Sequence, residues 1–383
     1  MPEVIILQRL VPSYRIALFR RVWEELGWPV VFGRNLGKSG MKLLDNEPFM
    51  LGYDFHTSRR GITHVPVARI LADLKPSAVI AEGALSMTST WNLLARRNLF
   101  GGPKVFFWSI GYNTQRQLDP GRWNGRQELY PSAYRLGDGC MTYGDDGRGF
   151  LQPRLGGKPV FVAHNSLDME EIAAARVKAR VLPRRGFPEL VCVSRLTPEK
   201  EFVKLVDAFR IVLKSMPDAK LTIVGDGPER PAIMAAAGDE LERSIFMAGA
   251  VYDELTVASH MNRADAFVIA GRVGLAINHA LGYGLPVFCF RRSAEGPLHG
   301  SEITHLKVGK TGYFAEPYEA RAMADTLAKV FLKIPDLKQH HEPMIKAYVE
   351  SHISIARMFE GFKALSAHLA AQWPSQYAAA QAP

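Results

Sequence analysis

The sequence is poor in cysteine and has no long apolar run. Its three cysteines, Cys140, Cys192 and Cys289, lie far apart and without CxxC spacing, which excludes a disulfide framework and gives no sign of a metal site. We expect them to be small core residues of a cytoplasmic protein. No segment reaches about 18 consecutive apolar residues, and the N-terminus lacks a basic region followed by an apolar core, so neither a membrane span nor a secretion signal is expected.

Acidic residues are also in deficit. Lys and Arg number 47 against 38 Asp and Glu, which gives a net charge of +9 and a pI of about 9.4. This balance predicts an acidic partner, either a nucleotide, an anionic lipid surface or a nucleic acid. Nucleic acid is disfavoured because the chain has no stacking motif, zinc-ligand spacing or long basic run.

The rest of the composition describes a folded protein of more than one domain. Hydrophobic residues make up 47% and charged residues 22%, and 383 residues are many for one core. Short apolar runs alternate with helical patterns throughout, which predicts α/β domains with parallel sheets. Predicted strands are Val4–Gln8, Val30–Phe32, Ala78–Ala81, Val105–Trp108, Cys140–Tyr143, Val160–Ala163, Glu189–Ser194, Lys220–Val224, Ser244–Met247, Ala266–Ile269 and Pro286–Phe290.

The breaks in this alternation suggest the domain boundaries. We predict a Rossmann-like domain over 1–164, a linker over 165–188, a second Rossmann-like domain over 189–345, and terminal helices over 346–383 that pack back on the first domain. Two such domains would face each other across a cleft. The polar stretch Gly33–Gly61 is predicted to be a mobile loop.

One stretch carries the clearest chemistry, LVCVSRLTPEK over residues 190–200. It reads as a buried strand followed by a loop, just before the helical pattern FVKLVDAFRIVLKSM. Arg195 and Lys200 therefore fall at the carboxyl end of a parallel strand beside a helix N-terminus, where open α/β sheets bind anions. Two cations there suit a diphosphate, although ordinary solvated surface cations are the alternative.

Two further loops follow predicted strands in the same half. Gly225 and Gly227, in VGDGP, allow close approach of the backbone, but this motif alone is usually a turn. Gly274 and Leu275 lie where a strand gives way to a helix, so their N–H groups could receive phosphate oxygens.

Taken together, the motifs resemble a known family. SRLTPEK, VGDGPE, FMAGAV, ADAFVI, VGL, ALGYGLPV and GKTGYF occur in the order and spacing of the retaining GT-B glycosyltransferases of the glycogen-synthase-like superfamily, glycosyltransferase family 4 or group 1. The resemblance covers residues 160–332 well. It implies that the second domain binds a nucleoside-diphosphate sugar of the UDP or GDP type, and that the first holds a glycan or glycolipid acceptor.

Residue roles follow from the resemblance. Arg195 and Lys200 would bind the donor diphosphate and stabilise the leaving nucleoside diphosphate, with no metal and no cofactor. The other donor-binding positions that it implies are Gly225, Gly227, Ala250, Val251, Gly274, Leu275, His279 and Glu302.

The sequence departs from the family pattern E-G-F-G-L-x-x-x-E. The aligned positions here are Gly271 and His279, as in a branch frequent among surface-polysaccharide transferases. His279 could hydrogen-bond ribose or phosphate, or could be a helix histidine packed without a ligand. Glu302 is the candidate for a sugar or ribose contact, with Glu295 second and a solvated loop carboxylate as the alternative.

The first half offers acceptor candidates by position. Gln8, Tyr14, Arg15 and Glu82 lie at predicted strand ends or helix starts that would face the cleft, although each could equally be structural. Ile110 replaces a histidine that relatives carry, so Ser109, Tyr112 and Asn113 are the candidates for orienting the transferred sugar.

The first helical pattern, residues 11–26, is basic and contains Trp23 and Phe19. Such a helix could lie on an anionic membrane surface, or it could pack on its own sheet. A peripheral contact of this kind would place a cytoplasmic protein at the inner face of the membrane.

Without a carboxylate aligned beside the anomeric carbon, we expect front-face attack, in which the donor phosphate accepts the acceptor's proton. The expected product is an extended polysaccharide or lipid-linked oligosaccharide. The alternative from another class is a non-catalytic nucleotide-sugar-binding scaffold subunit of a polysaccharide assembly system. A GT-B epimerase shares the fold.

Overall fold

A computed structural model describes residues 3–36, 47–112 and 125–372 of the chain. The described residues fall into two compact units. The first contains 3–36, 47–112, 125–165 and 355–372, and the second contains 166–354.

The first unit is a parallel α/β domain. Its strands are β1 (Val4–Leu7), β2 (Val30–Gly33), β3 (Met50–Tyr53), β4 (His56–Thr57), β5 (Thr63–His64), β6 (Ala78–Glu82), β7 (Lys104–Ser109), β8 (Gly139–Thr142) and β9 (Val160–Val162). Its helices are α1 (Ile16–Leu26), α2 (Val67–Leu74), α3 (Thr88–Leu99), α4 (Gly125–Tyr134), α5 (Asp145–Leu151) and α13 (Ile355–Gln372). Seven strands pair in parallel in the order β3-β2-β1-β6-β7-β8-β9, while β4 and β5 form an antiparallel ribbon.

Both faces of this sheet are covered, as the apolar strand runs require. Val4 and Ile6 point into one core with α1 and α13, whereas Ile5 and Leu7 point into another with α2 and α3. The helix α13 approaches the sheet closely at Gly361, where a β-carbon would lie 2.5 Å from the carbonyl oxygen of Val162.

The second unit repeats the architecture. Its strands are β10 (Glu189–Val193), β11 (Lys220–Val224), β12 (Ile245–Gly249), β13 (Ala266–Ile269), β14 (Val287–Phe290) and β15 (Gly312–Ala315). Its helices are α6 (Met169–Lys178), α7 (Phe202–Ser215), α8 (Arg230–Ala237), α9 (Glu254–Arg263), α10 (Ala276–Gly282), α11 (Ala320–Lys333) and α12 (Leu337–His352). All six strands are parallel, in the order β12-β11-β10-β13-β14-β15.

The order in which the chain adds strands to this sheet reverses at β10. From β10 the chain adds β11 and β12 on one side, then crosses to β13 on the other. The loops that follow β10 and β13 therefore leave a crevice at the carboxyl edge of the sheet, which is the usual ligand position in such folds. The two-domain α/β class and its parallel sheets, predicted from the alternation, are confirmed.

Four strands, β3, β4, β5 and β15, were not predicted from the sequence, and two of them are edge strands of the large parallel sheets. Gly33–Gly61 was predicted to be a mobile loop, but it contains the edge strand β3, which pairs with β2 from Met50 to Tyr53. Residues 37–46 of that stretch are outside the described residues. The other is β15, which begins at Gly312. Both are four-residue edge strands that contain glycine, so their apolar signal is weak.

The basic first helix has partners within its own unit. Arg20 and Arg21 pair with Glu47 and Glu25 at 2.5 and 2.6 Å, and the Arg21 guanidinium lies 4.9 Å from the ring centroid of Phe359. The helix α1 packs its apolar side into the core shared with α13. Within the described part of the chain, no helix is long and apolar enough to cross a membrane.

Candidate functional site

The loop after β10 is built to hold two cations at the carboxyl edge of the second sheet. It runs from Ser194 to a 3₁₀ turn at Pro198–Lys200, and α7 then starts at Phe202. Arg195 is exposed to solvent, whereas Lys200 is only partly exposed. The two positively charged side chains predicted from the sequence thus lie on one short loop at the crevice.

Glycines of the next loop fix the shape of this one. Gly225 and Gly227 have φ values of 150° and 157°, and a β-carbon on them would lie 1.9 and 2.4 Å from the carbonyl oxygens of Ser194 and Leu196. The N–H of Leu196 donates to the carbonyl of Asp226 at 3.0 Å, and the N–H of Gly225 donates to Gly249 at 2.8 Å. These glycines are therefore needed for close packing of three adjacent loops.

The loop after β13 is tied to the same turn. The N–H groups of Gly271 and Arg272 donate to the carbonyls of Lys200 and Glu199 at 3.0 and 2.7 Å. In return, Nζ of Lys200 donates to the carbonyl oxygen of Arg272 at 2.6 Å. Lys200 therefore joins two loops 72 residues apart, in addition to carrying charge into the crevice.

Burial affects the acid–base state of this lysine. Removal from water is the main cause that lowers the pKa of Lys200. Cys192 and Glu199 oppose this shift, while the nearby Arg272 and Arg195 add to it. A partly desolvated ammonium group near two guanidinium groups gains by binding an anion, because the anion offsets both the burial and the repulsion. The electrostatics of the loop thus favour a negatively charged ligand.

A histidine absent from the sequence prediction supports the same loop from behind. His299 is 2% exposed. Its Nδ1 accepts from the N–H of Val273 at 3.3 Å, and its Nε2 donates to the carbonyl oxygen of Phe290 at 2.9 Å. The N–H of Gly300 donates to the carbonyl of Val273 at 2.7 Å. Both backbone polar groups of Val273 are thereby fixed, just before Gly274 and Leu275.

The imidazole ring of His299 must be neutral, because its Nδ1 accepts a hydrogen bond from the N–H of Val273. The lowered pKa of this histidine agrees with a neutral ring. Burial, with smaller effects of Arg292, Lys200 and Arg272, lowers the pKa of His299 to about 4. Between this value and the ordinary value of about 6.5, the unfolded chain binds a proton that the folded chain does not. Stability contributed here is therefore complete above about pH 6.5 and falls as the pH drops towards 4.

This linkage gives a measurable prediction. Lowering the pH from about 7 to about 4 should cost wild type about 3 kcal/mol of unfolding free energy more than it costs His299→Gln, because only wild type carries the titrating ring. The stability advantage of wild type over the variant should therefore shrink by that amount. Urea unfolding at a series of pH values measures it. The exposed His352→Gln is the matched control, and equal narrowing for both variants would contradict the assignment.

Glu302 lies beside the Gly274 turn. The carboxyl group is on a 3₁₀ turn, Ser301–His305, and the residue is 6% exposed. Its Oε2 is 3.5 Å from where a β-carbon on Gly274 would lie, and 2.5 Å from one on Gly300. The structure therefore places the carboxyl group of Glu302 beside the turn at Gly274.

The side chain of His279 contacts the carboxylate of Glu254. Its Nε2 lies 2.7 Å from Oε1 of Glu254, and the hydroxyl of Tyr283 donates to the same oxygen at 2.6 Å. Burial opposes the charge on Glu254, but the bonds from His279 and Tyr283 outweigh it and lower the pKa of this carboxyl. Glu254 is therefore held as a carboxylate, and it begins α9 directly after the predicted donor segment that contains Ala250 and Val251.

The acceptor candidates of the first unit differ in accessibility. Tyr14 is 37% exposed. Glu82 accepts from the N–H of Arg9 at 2.9 Å, and the hydroxyl of Ser109 accepts from the N–H of Gly111 at 3.0 Å. Both side chains remain partly exposed. Asn113 lies outside the described residues.

Arg15 is 7% exposed and has a different environment. Its guanidinium lies 4.9 Å from the ring centroid of Trp108 and 5.1 Å from that of Tyr143, and it donates to Oδ1 of Asn165 at 2.7 Å. These contacts stabilise a buried cation within the first unit. Its predicted place at a helix start is therefore correct in position, but its side chain is largely enclosed.

Comparison with known families decides what the second unit is. The family model described as glycosyl transferases group 1 matches residues 187–332. These residues are a group 1 glycosyltransferase domain. The match includes Arg195, Lys200, both glycine loops and His299.

The chain is also similar to curated proteins. Residues of the chain are 28% identical over 172 positions to a GDP-mannose-dependent phosphatidylinositol monomannoside mannosyltransferase of Mycolicibacterium smegmatis, covering 38% of this chain and 44% of that protein. They are 22% identical over 296 positions to the alpha-monoglucosyldiacylglycerol synthase of Acholeplasma laidlawii, covering 75% and 65%. The chain spans less than half the length of the first curated relatives it matches.

Solved structures extend the likeness to both units. Anabaena HepE, solved with UDP and glucose, superposes with a TM-score of 0.65 at 13% identity, covering 95% of this chain and 99% of HepE. A UDP-forming trehalose-phosphate synthase from Burkholderia xenovorans gives 0.69 at 12%, covering 95% and 98%. At such identities the likeness concerns the fold alone, and it confirms the predicted GT-B class.

Proposed function

We propose that the chain is a retaining, metal-independent glycosyltransferase. It transfers a sugar from a nucleoside-diphosphate sugar to a glycan or lipid-linked acceptor. The observation that carries this proposal is the pair Arg195 and Lys200 at the strand-order switch of a group 1 glycosyltransferase domain, with Lys200 bonded to the neighbouring loop at Arg272. Two cations placed there match the charge of a diphosphate.

In the proposed reaction, negative charge develops on the donor diphosphate, next to these two cations. The bond between the anomeric carbon and the donor phosphate oxygen breaks, and both electrons remain on the diphosphate. Lys200 and Arg195 stabilise that charge, with N–H groups at Gly274 and Leu275 directed to phosphate oxygens. The acceptor hydroxyl attacks from the same face and passes its proton to the departing oxygen, so no carboxylate base is required.

The other donor positions form the walls of the site in this proposal. Gly225 and Gly227 keep the cation loop in place, and the backbone of Ala250 and Val251 faces the base. Glu302 and His279 then recognise hydroxyl groups of the sugar or ribose, with His279 oriented by Glu254.

The acceptor is assigned to the first unit. Tyr14, Glu82 and Ser109 remain its candidates because each is accessible, whereas the enclosed Arg15 acts through packing. Support for a lipid-linked acceptor comes from the names of two relatives, one a phosphatidylinositol monomannoside mannosyltransferase and the other an alpha-monoglucosyldiacylglycerol synthase. Those names and the UDP complexes together support a donor of the GDP or UDP type.

A nucleotide panel tests the proposal. We expect UDP or GDP, at about 100 times its dissociation constant, to stabilise the protein by about 2.7 kcal/mol. ADP or dTDP at the same concentration should stabilise it less. Thermal unfolding with and without each nucleotide measures this. Binding without sugar transfer or donor hydrolysis in any acceptor pool would identify a scaffold subunit, and absence of binding would reject a donor site.

A further inference from the structure

A basic and apolar surface lies at the edge of the first sheet where strands β6, β7 and β8 begin, which is the edge opposite to their carboxyl ends. We call it the amino-edge surface. It consists of Lys75, the segment Leu99–Lys104 from the last residue of α3 to the first of β7, and the loop Arg135–Asp138 before β8. The side-chain amide of Asn98 donates to the carbonyl of Leu136 at 3.0 Å, which joins the two loops.

Three large apolar side chains project from this surface. Leu99 is 74% exposed, Phe100 is 79% exposed and Leu136 is 52% exposed. Single exposed apolar residues are common on proteins, but three on two joined loops form a patch. Leu99 and Phe100 are adjacent at the end of α3, so both project from one tip.

Charge around the tip is predominantly positive. Arg97 donates to both oxygens of Asp138 at 2.8 Å, and Nζ of Lys104 lies 3.7 Å from the same carboxylate. Burial opposes ionisation of Asp138, but Arg97 and Lys104 outweigh it and lower its pKa, so it stays charged. One carboxylate is thus shared by two cations, and the exposed Lys75 adds a third.

A groove of about 560 Å³ lies between these cations. It is lined by Lys75, Arg97 and Lys104, by the glycines and proline of 101–103, and by Leu71, Pro76 and Ser77 at and after the end of α2. Such a groove has the charge and the size for a phosphate-containing headgroup, next to apolar side chains that can enter the acyl region.

We propose that the amino-edge surface binds the surface of an anionic phospholipid bilayer. Leu99 and Phe100 enter the interface, while Lys75, Arg97 and Lys104 contact lipid phosphates. This surface is separate from the basic helix α1, whose Arg20 and Arg21 are paired within the first unit. The inference goes beyond the proposed function and does not depend on it, because it uses only the chemistry of this edge.

Vesicle co-sedimentation tests the inference with the full chain. We expect wild type to pellet with vesicles of phosphatidylcholine mixed with phosphatidylglycerol, and to remain in solution with phosphatidylcholine alone. The double variant Leu99→Ser, Phe100→Ser should weaken binding by at least about tenfold. Lys75→Gln with Lys104→Gln should weaken it by about fivefold per cation, and added salt should weaken the wild type.

Matched controls on the second unit separate this site from general effects. Leu332→Ser removes an equally exposed apolar side chain, at 77%, and Lys329→Gln with Lys333→Gln removes two charges from the exposed side of α11. These controls should pellet like wild type, and all variants should keep any nucleotide-induced stabilisation. Wild type that ignores anionic vesicles, or tip variants that bind as tightly as the controls, would overturn the proposal.

Discussion

Replacing Lys200 by Met is expected to weaken nucleoside-diphosphate binding about 10- to 100-fold and to slow any sugar transfer by about 10²- to 10³-fold. Methionine keeps the apolar stem but removes the ammonium group. Two losses coincide, because Nζ both carries charge and donates to the carbonyl oxygen of Arg272 at 2.6 Å. Arg195→Gln should cost less in binding, since Arg195 is exposed and solvent screens its charge.

Isothermal titration with UDP and GDP measures the binding, and Lys214→Ala provides the control. Lys214 is an exposed cation in the last turn of the same helix α7, so it tests net charge without touching the crevice. The lowered pKa of Lys200 adds a second readout. As the pH is raised, Lys200 should lose its proton at a lower pH than an ordinary lysine, and nucleotide binding by wild type should weaken there. Lys200→Met should not show this pH dependence. Unchanged affinity in Lys200→Met would remove the diphosphate clamp from the mechanism.

The position of Arg195 and Lys200 in the fold could be predicted because its signals are local. The apolar run before Ser194 and the helical pattern after Lys200 are contiguous in sequence, so together they define the end of a strand and the start of a helix. The class of sheet then determines which edge binds anions. Arg195 and Lys200 follow from these facts without any knowledge of distant contacts.

Residues that act through distant contacts could not be predicted in this way. His299 supports Val273 from 26 positions away, and the signal in sequence is only one histidine in a loop. Arg15 was assigned to a cleft from its place at a helix start. Its enclosure by Trp108, Tyr143 and Asn165 depends on how three separate strands return to one edge. Periodicity carries no information about such neighbours.

Gly271 offers the sharpest test of how the loops after β10 and β13 meet. The resemblance aligns this position with a glutamate of typical family members, so Gly271→Glu restores the familiar sequence. The structure predicts instead that this substitution disrupts the loops rather than restoring a working site. A β-carbon here would lie 2.4 Å from both the carbonyl oxygen of Glu199 and the carbonyl carbon of Lys200, which are backbone atoms that cannot rotate away.

We therefore expect Gly271→Glu to lower stability by about 3 kcal/mol, or Tm by about 6 to 12 °C, and to abolish nucleotide-induced stabilisation. The loop that presents Lys200 must move to relieve the collision. Gly271→Ala should share most of this loss, because the collision arises at the β-carbon and not at the carboxylate. Gly274→Ala is the matched control, since its β-carbon would meet only Oε2 of Glu302, at an ordinary 3.5 Å. A stable and more active Gly271→Glu enzyme would instead mean that the loops separate in solution and that a carboxylate can work here.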